Sequence, residues 1–426
     1  NVHFIGVGFT KGAMPYDIII TKEDGLKGHF KNIAYHNGTA TPVYLKDGFQ
    51  LVANEVPSAL ANYSGLSASE KTVATEFDRM YMDNYRVGAM DRDMFEIIYN
   101  LNILGQTGEI EELKRALDEF SGVSFINVLR LGAVESEGKV NNLYSHINNL
   151  RQSSVWGGVY TQNYELDDDE ESSSRLFKSG GSGFSGGIDL YNNGWDLLAG
   201  LYVGYLNGWA KQGKDDFAIK EYEAGFYGGW LLDNVRLKAN AAFVGNNNIS
   251  QRQIDLAPYQ YNPESDFDAY GFRYGMQGEY VIAIAQEIEV RPCVGIRGGY
   301  IKNDEIIEFS GGVANLIVKE NFYHRMVGTI GIGVGDEIGI FRWYGKGYAG
   351  YIIDGAKPLY QIRFSDGGEW MDIYGVQEQI QGGLGAGAEY LFSGRAEGIS
   401  AFGNADIGFG TKMSQYYLSI GLRYRY

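Results

Sequence analysis

A serine set among glycines, Gly183-Phe-Ser-Gly-Gly187, has the spacing of a hydrolase nucleophile elbow. That chemistry needs a strand, a sharp turn and a helix, whereas this segment lies inside a glycine-rich run that reads as strand, so the match is one of spacing alone. Gly331-Ile-Gly-Val-Gly335 and Gly383-Leu-Gly-Ala-Gly387 have the glycine spacing of phosphate-cradling loops, yet each is strand rather than strand-to-helix turn. Glycines there let a sheet bend and leave room on its inner side. The acidic run from Asp167 to Glu171 offers carboxylates to a divalent cation but lacks the EF-hand spacing, and reads as a solvated loop. Five histidines, His3, His29, His36, His146 and His324, are scattered without metal-ligand spacing. No metal site and no cofactor is expected.

The elements that would position any chemistry follow from composition and period. The chain has 426 residues, with 36 Lys and Arg against 53 Asp and Glu, a net charge of −17. Phosphate binding wants a basic patch, so nucleic acid is excluded as partner. Apolar residues at 44% and only 7 prolines describe a folded chain, while 60 glycines and 32 tyrosines suggest something repetitive and β-rich. The single cysteine, Cys293, excludes an internal disulfide framework. The chain starts at Asn1 without a charged or apolar leader, and a signal peptide is expected either to have been removed or to belong to a longer precursor. No apolar run approaches the ~18 residues of a spanning helix; one of the longer, Tyr280 to Ala285, is six residues.

Composition changes near residues 55 and 153. Residues 1–54 alternate between glycine turns and predict short strands too few to close a core. From Pro57 to Gln152 the apolar period becomes helical. Ser67 and Glu70 have capping-box spacing ahead of Val73, Phe77 and Met80; a second helix carries Met94, Ile97, Ile98 and Leu101, and a third Ile110, Leu113, Leu117 and Phe120. A last helix over 138–153 has Val140, Leu143, Ile147 and Leu150 on one face and Asn141, Asn142, Asn148 and Asn149 elsewhere.

After Ser154 the period is two to the end, in twelve segments. Each has an apolar side, and the opposite side carries charge: Glu221, Glu223, Arg236, Lys238, Arg273, Glu279, Glu287, Glu289, Arg291, Arg297, Arg423 and Arg425. A soluble sandwich would alternate in the same way. The connections separate the two. Long stretches at 165–178, 208–216, 247–266, 302–314, 353–374 and 409–414 alternate with tight turns at Asn192 to Gly194, Asp233-Asn234, Ala285-Gln286, Gly335-Asp336 and Ser393-Gly394. Long loops at one end and short turns at the other are the pattern of an outer-membrane barrel. The expected fold is a transmembrane, all-β, twelve-stranded antiparallel barrel with a helix in its lumen, which at 1.5 Å per residue would span about 22 Å.

The last strand alternates Leu418, Ile420, Leu422, Tyr424 and Tyr426 against Ser419, Gly421, Arg423 and Arg425. This resembles the C-terminal signal read by the outer-membrane barrel-assembly machinery, although Phe is commoner than Tyr in last place. With Ser154-Val-Trp-Gly-Gly-Val-Tyr160 opening the first strand and Glu289-Val-Arg-Pro-Cys-Val-Gly295 in a middle one, residues 154–426 resemble the translocator of a type V autotransporter. Leu66-Ser-Ala-Ser-Glu-Lys-Thr-Val-Ala74 and Leu117-Asp-Glu-Phe-Ser-Gly122 resemble that family's helical linker, here 55–137. Residues 25–51 resemble the closing rungs of a passenger, here 1–54. The resemblance implies a bacterial outer-membrane anchor in lipid. It supports export of its own passenger, which faces the cell surface, and the helix over 138–153 spans the pore.

Lys139-Val-Asn-Asn-Leu143 resembles the junction at which one autotransporter subfamily cuts itself. The resemblance implies Asn141 as nucleophile, closing a succinimide on its own carbonyl, and Asn142 as the new N-terminus, the only enzymatic step expected. A nearby acid must handle protons, and Glu221 or Glu223 is available on an inward face. The bland reading is that both asparagines merely hydrogen-bond to the wall. The alternatives from other classes are a barrel protease or lipase, which would need a histidine constellation in the loops where His324 is the only barrel histidine, and a plain diffusion porin.

Overall fold

The computed structural model describes residues 16–20, 40–45, 48–53, 59–87, 91–134, 137–149, 152–169, 175–284, 288–393 and 397–426. Leu150, Gln286, Glu287, Gly394, His3, His29, His36 and residues 170–171 lie outside them, as do the side chains of Asn148 and Asn149. Three strands, Tyr16–Ile20, Ala40–Leu45 and Gly48–Ala53, form a small antiparallel sheet with the last of them in the middle.

Twelve strands close one antiparallel barrel. They are β1 Ser154–Leu166, β2 Phe177–Asn192, β3 Leu197–Gln212, β4 Asp215–Leu232, β5 Val235–Gln251 and β6 Glu264–Tyr280, then β7 Glu289–Asn303, β8 Asn321–Ile338, β9 Phe341–Asp354, β10 Ile380–Leu391, β11 Ile399–Gly410 and β12 Met413–Arg425. The closing pair is β12 with β1, in register from Met413 opposite Leu166 to Arg425 opposite Ser154. Closure gives every strand two neighbours, which is what lipid demands of a backbone that water cannot satisfy. The outward positions leave Leu201, Ile330, Leu384, Ile420 and Leu422 exposed, an apolar band that lipid solvates. No described helix is long and apolar enough to cross a membrane.

Three connections differ from their sequence expectation, one of them 409–414, where β11 runs to Gly410 and β12 starts at Met413, so that a two-residue turn stands in place of a long loop. The turn placed at Gly335-Asp336 lies four residues on, at Gly339 and Ile340, because β8 continues to Ile338 and pairs with Phe341 of β9. Strand alternation does not stop at a glycine, and here only Gly339 takes a positive φ. Residues 208–216, read as a long loop, are mostly strand, since β3 and β4 extend to a two-residue turn between Gln212 and Asp215.

Upstream, α1 Ala68–Val87, α2 Arg92–Thr107, α3 Ile110–Ser121, α4 Val123–Ala133 and α5 Glu137–Asn149 lead into the barrel. The capping box closes in both directions: Glu70 N–H donates to Ser67 Oγ at 3.1 Å and Ser67 N–H to Glu70 Oε2 at 2.6 Å. α3 and α4 are divided by Gly122 at φ 66°, where the chain turns into the mouth of the barrel; a β-carbon there would also come within 2.8 Å of Leu316. α4 is absent from the sequence expectation. Nearly all its residues are buried, so it has no polar stripe to set a helical period.

The long connections fold too. Ile306–Ile307, Leu316–Val318, Leu359–Phe364 and Met371–Tyr374 form a four-stranded sheet. Together with the hairpin Ile254–Leu256 and Tyr259–Tyr261 it packs against α1–α4. Helices and long loops share one hydrophobic core at that end of the barrel, in which Phe77, Phe120 and Phe364 meet at ring separations of 4.9 to 6.3 Å.

Candidate functional site

The barrel lumen is filled from the long-loop end downward by α4 and then α5, and the strands supply charge at each level. α4 presents Arg130, fully buried, to Glu378 and to the Val376 carbonyl at 2.8 Å, while Arg325 of β8 reaches the same carboxylate at 3.0 Å. Its C-terminal carbonyls, Leu131 and Gly132, accept from Arg273 of β6 at 3.3 and 3.0 Å. A cation at a helix C-terminus is where the macrodipole favours it.

One turn further along, Lys139 of α5 sits against Glu223 and lies 3.6 Å from Glu221. Arg273 clamps Glu221 with two bonds of 2.7 and 2.8 Å, and Tyr202 donates to Glu223. Four charges buried together balance in number, two acids against two bases, which is how a low-dielectric lumen tolerates them. Glu221 and Glu223 are thus committed to Lys139 and Arg273.

The carboxylate that meets Asn141 is Asp406 of β11. Asn141 Nδ2 donates to Asp406 Oδ1 at 2.7 Å, and Lys346 of β9 donates to Asn141 Oδ1 at 3.1 Å. Both ends of one side-chain amide are therefore held by opposite charges, from the two strands that flank β10. Lys346 also donates to Gln277 Oε1 at 2.9 Å. Gly385 of β10 makes the space: a β-carbon there would stand 2.1 Å from Asp406 Oδ1 and 3.2 Å from Asn141 Nδ2. Asn142 points elsewhere, its Oδ1 accepting from Asn404 at 2.6 Å, and its main-chain carbonyl accepts from Ser145 at 2.7 Å. Asp406 was missed in the sequence, although Phe402, Asn404 and Asp406 share the inward parity of β11 and the parity alone marks it as luminal.

The other predicted luminal residues are distributed along the lumen. Lys238 pairs with Glu279, beside Tyr144, whose hydroxyl donates to Asn240 at 2.9 Å. Arg291 lies 3.8 Å from Glu289, which also takes Arg236 at 3.0 Å, and Arg297 stacks over Tyr348. Near the short-turn end, fully buried His146 lies over Trp156, accepts from Arg423, and is 3.8 Å from Asp189. Glu389 gathers Arg423 at 2.9 Å and Arg425. Leu418, Ile420, Leu422, Tyr424 and Tyr426 all face outward and are exposed.

The spacing motifs carry no chemistry. Ser185 and both glycine runs are strand interior. His324 is on the outward face of β8, with Nδ1 2.8 Å from Asp354 and Nε2 2.9 Å from the Tyr274 hydroxyl, so a phenol stands where a barrel hydrolase would place its serine. Among the described residues no group of three or more His, Cys, Asp or Glu side chains is arranged for a metal ion.

A family described as autotransporter beta-domain matches residues 155–406. A search of curated proteins finds no match. Among solved structures, the translocator domain of autotransporter NalP from Neisseria meningitidis is similar at 13% identity and a TM-score of 0.55, over 68% of this chain and 94% of that one. The transport unit of the autotransporter AIDA-I from Escherichia coli is 14% identical, with a TM-score of 0.49 over 68% and 100%. The beta domain of the Bordetella autotransporter Brka is 15% identical, with a TM-score of 0.47 over 65% and 100%. At these identities the likeness is one of fold.

Proposed function

The chain belongs to the autotransporter family, and on that footing we propose that this outer-membrane translocator brings its N-terminal passenger to the cell surface and cuts its own chain between Asn141 and Asn142. In this reading residues 1–54 end the passenger, 55–137 link it, 138–153 span the pore and 154–426 are the barrel. The outward row from Leu418 to Tyr426 is what the assembly machinery reads before the barrel sits in lipid.

The observation that carries the cleavage reading is the Asn141 amide held between Asp406 and Lys346. A carboxamide nitrogen is a poor nucleophile because its lone pair is spread onto oxygen. Lys346 beside Oδ1 favours the form in which that oxygen carries negative charge, and Asp406 is placed to take the proton from Nδ2. Nδ2 then bonds to the Asn141 main-chain carbonyl carbon and closes a five-membered ring. The bond from that carbon to the Asn142 nitrogen breaks, and the leaving amine takes the proton back from Asp406. No other reactant is consumed, and the buried site keeps water from competing. Confinement in the lumen supplies the orientation that makes an intramolecular attack fast.

The test is the intact mass of both fragments from outer membranes of cells making the full precursor. The expected result is a barrel fragment beginning at Asn142 and an upstream fragment one water lighter than the free acid, both absent from an Asn141→Ala chain. A barrel fragment that begins anywhere else, or a chain that stays whole, discards the reading.

A further inference from the structure

We propose that α1–α4 hold the upstream chain on the barrel without any covalent link, so that a cut between Asn141 and Asn142 leaves the passenger on the cell rather than in the medium. The cut itself rests on the preceding reading; the anchor does not.

Every anchoring contact lies on the upstream side of that peptide bond. Lys139, two residues before Asn141, is buried against Glu221 and Glu223. Arg130 of α4 is buried against Glu378 of a long connection. On the barrel side Arg252, fully buried and held by two bonds of 2.8 and 2.9 Å to Glu308, donates across to the Glu119 carbonyl of α3, and Asp215 accepts across from Ser124 of α4 at 2.6 Å. Between these ion pairs runs apolar packing that neither partner completes alone. Phe125 of α4 meets Phe217 and Phe267 of the wall at 5.6 and 5.8 Å, and Phe77 and Phe120 close on Phe364 of the loop sheet. Leaving would expose that core and strand buried charges without partners, and the desolvation of an unpaired buried charge is among the largest single costs a fold can meet. A nicked chain held in this way is an intact complex.

Two arms on whole cells test the anchor. In the first, an N-terminally tagged precursor is followed on denaturing gels of cell pellet and medium; a fragment that is cut yet pellets with the cells is expected, and a cut fragment in the medium overturns the proposal. The second needs no self-cleavage. A site-specific protease sequence is inserted after Gly108, in the exposed turn from Gln106 to Glu109, of an Asn141→Ala chain, and protease is added outside. The fragment ending there keeps α1 and α2 but not the contacts of α3, α4 and Lys139, so it should stay with the washed cells through packing such as Phe77 on Phe364; its loss to the medium overturns the part of the anchor assigned to α1 and α2. If the first arm shows no cut and the second shows retention, the self-cleavage reading fails and the anchor stands. Glu378→Leu, which takes the buried carboxylate from Arg130 of α4, should raise the washed-off fraction roughly a hundredfold, with heat-modifiable migration of the barrel confirming that β1–β12 still fold. Unchanged retention in that variant overturns the assignment.

Discussion

Asn141 Nδ2 and Asp406 Oδ1 are joined at 2.7 Å across 265 residues of sequence, one on the lumen helix and the other on the eleventh strand. The bond has two consequences. It fixes the rotamer of the asparagine amide, and it gives the amide proton somewhere to go. A helix that merely fills a pore needs only the first.

Asp406→Asn keeps the shape and the hydrogen bond but removes the proton acceptor. Self-cleavage should slow by about a hundred- to ten-thousandfold, read as the uncut fraction on denaturing gels over time. Wild-type cleavage in this variant would remove Asp406 from the reaction.

Lys346→Met takes away the cation 3.1 Å from Asn141 Oδ1. Loss of one charge-stabilising donor at a developing oxyanion is expected to slow cleavage about a hundredfold. The Asp406 contact would survive, so the two variants together should be slower than either alone.

Gly385→Ala puts a methyl 2.1 Å from Asp406 Oδ1. Overpacking of this kind costs about 1–3 kcal/mol, less than a closed barrel loses to unfold. The expected phenotype is a barrel that assembles and shifts normally on heating but does not cut itself, distinguishing a spoiled site from a spoiled fold.

Glu378→Leu removes the carboxylate shared by Arg130 and Arg325. Two buried guanidiniums then face each other without a carboxylate, keeping only the Val376 carbonyl and Gln381 Oε1 as acceptors, and the packing of α4 under the mouth should weaken by about 3–5 kcal/mol. The urea concentration at which external protease first cuts residues 91–134 should fall accordingly.

The helices at the mouth should also respond to pH. Burial pushes the Asp118 carboxyl up to about 8, with Arg175 Nε 3.0 Å away pulling the other way. A raised carboxyl holds its proton in the folded state between its ordinary value of 3.8 and about 8, where the unfolded chain releases it. The stabilisation is complete below the lower figure and is lost as pH rises through the upper one. Resistance of α1–α4 to urea should therefore decline from pH 4 to pH 8, and Asp118→Asn should flatten the decline.

The barrel was legible in the sequence because period two survives wherever one face meets lipid and the other meets charge, as in Leu418 to Tyr426 against Ser419 to Arg425. The helices α1–α3 were legible because each keeps a polar face. α4 was not, since a helix enclosed on all sides has no contrast to read. The site was half legible. The asparagine pair stood out by type and neighbours, whereas the choice of acid depended on which strand β11 brings opposite α5, and that is a matter of barrel closure rather than of local spacing. Glu221 and Glu223 lie on the inward face that their parity gives them and meet Lys139 and Arg273, while the carboxylate beside Asn141 is Asp406.

The filling of the lumen has a consequence for the envelope around it. A hollow twelve-stranded cylinder would be a hole through which small solutes pass down their gradients, and each copy inserted would erode the selective barrier that the outer membrane exists to keep. Here α5 is seated among paired charges and α4 beneath a shared apolar core, so the lumen is occupied by the protein's own chain. A copy filled in this way is expected to add little to the permeability of the membrane that holds it, however many copies that membrane carries.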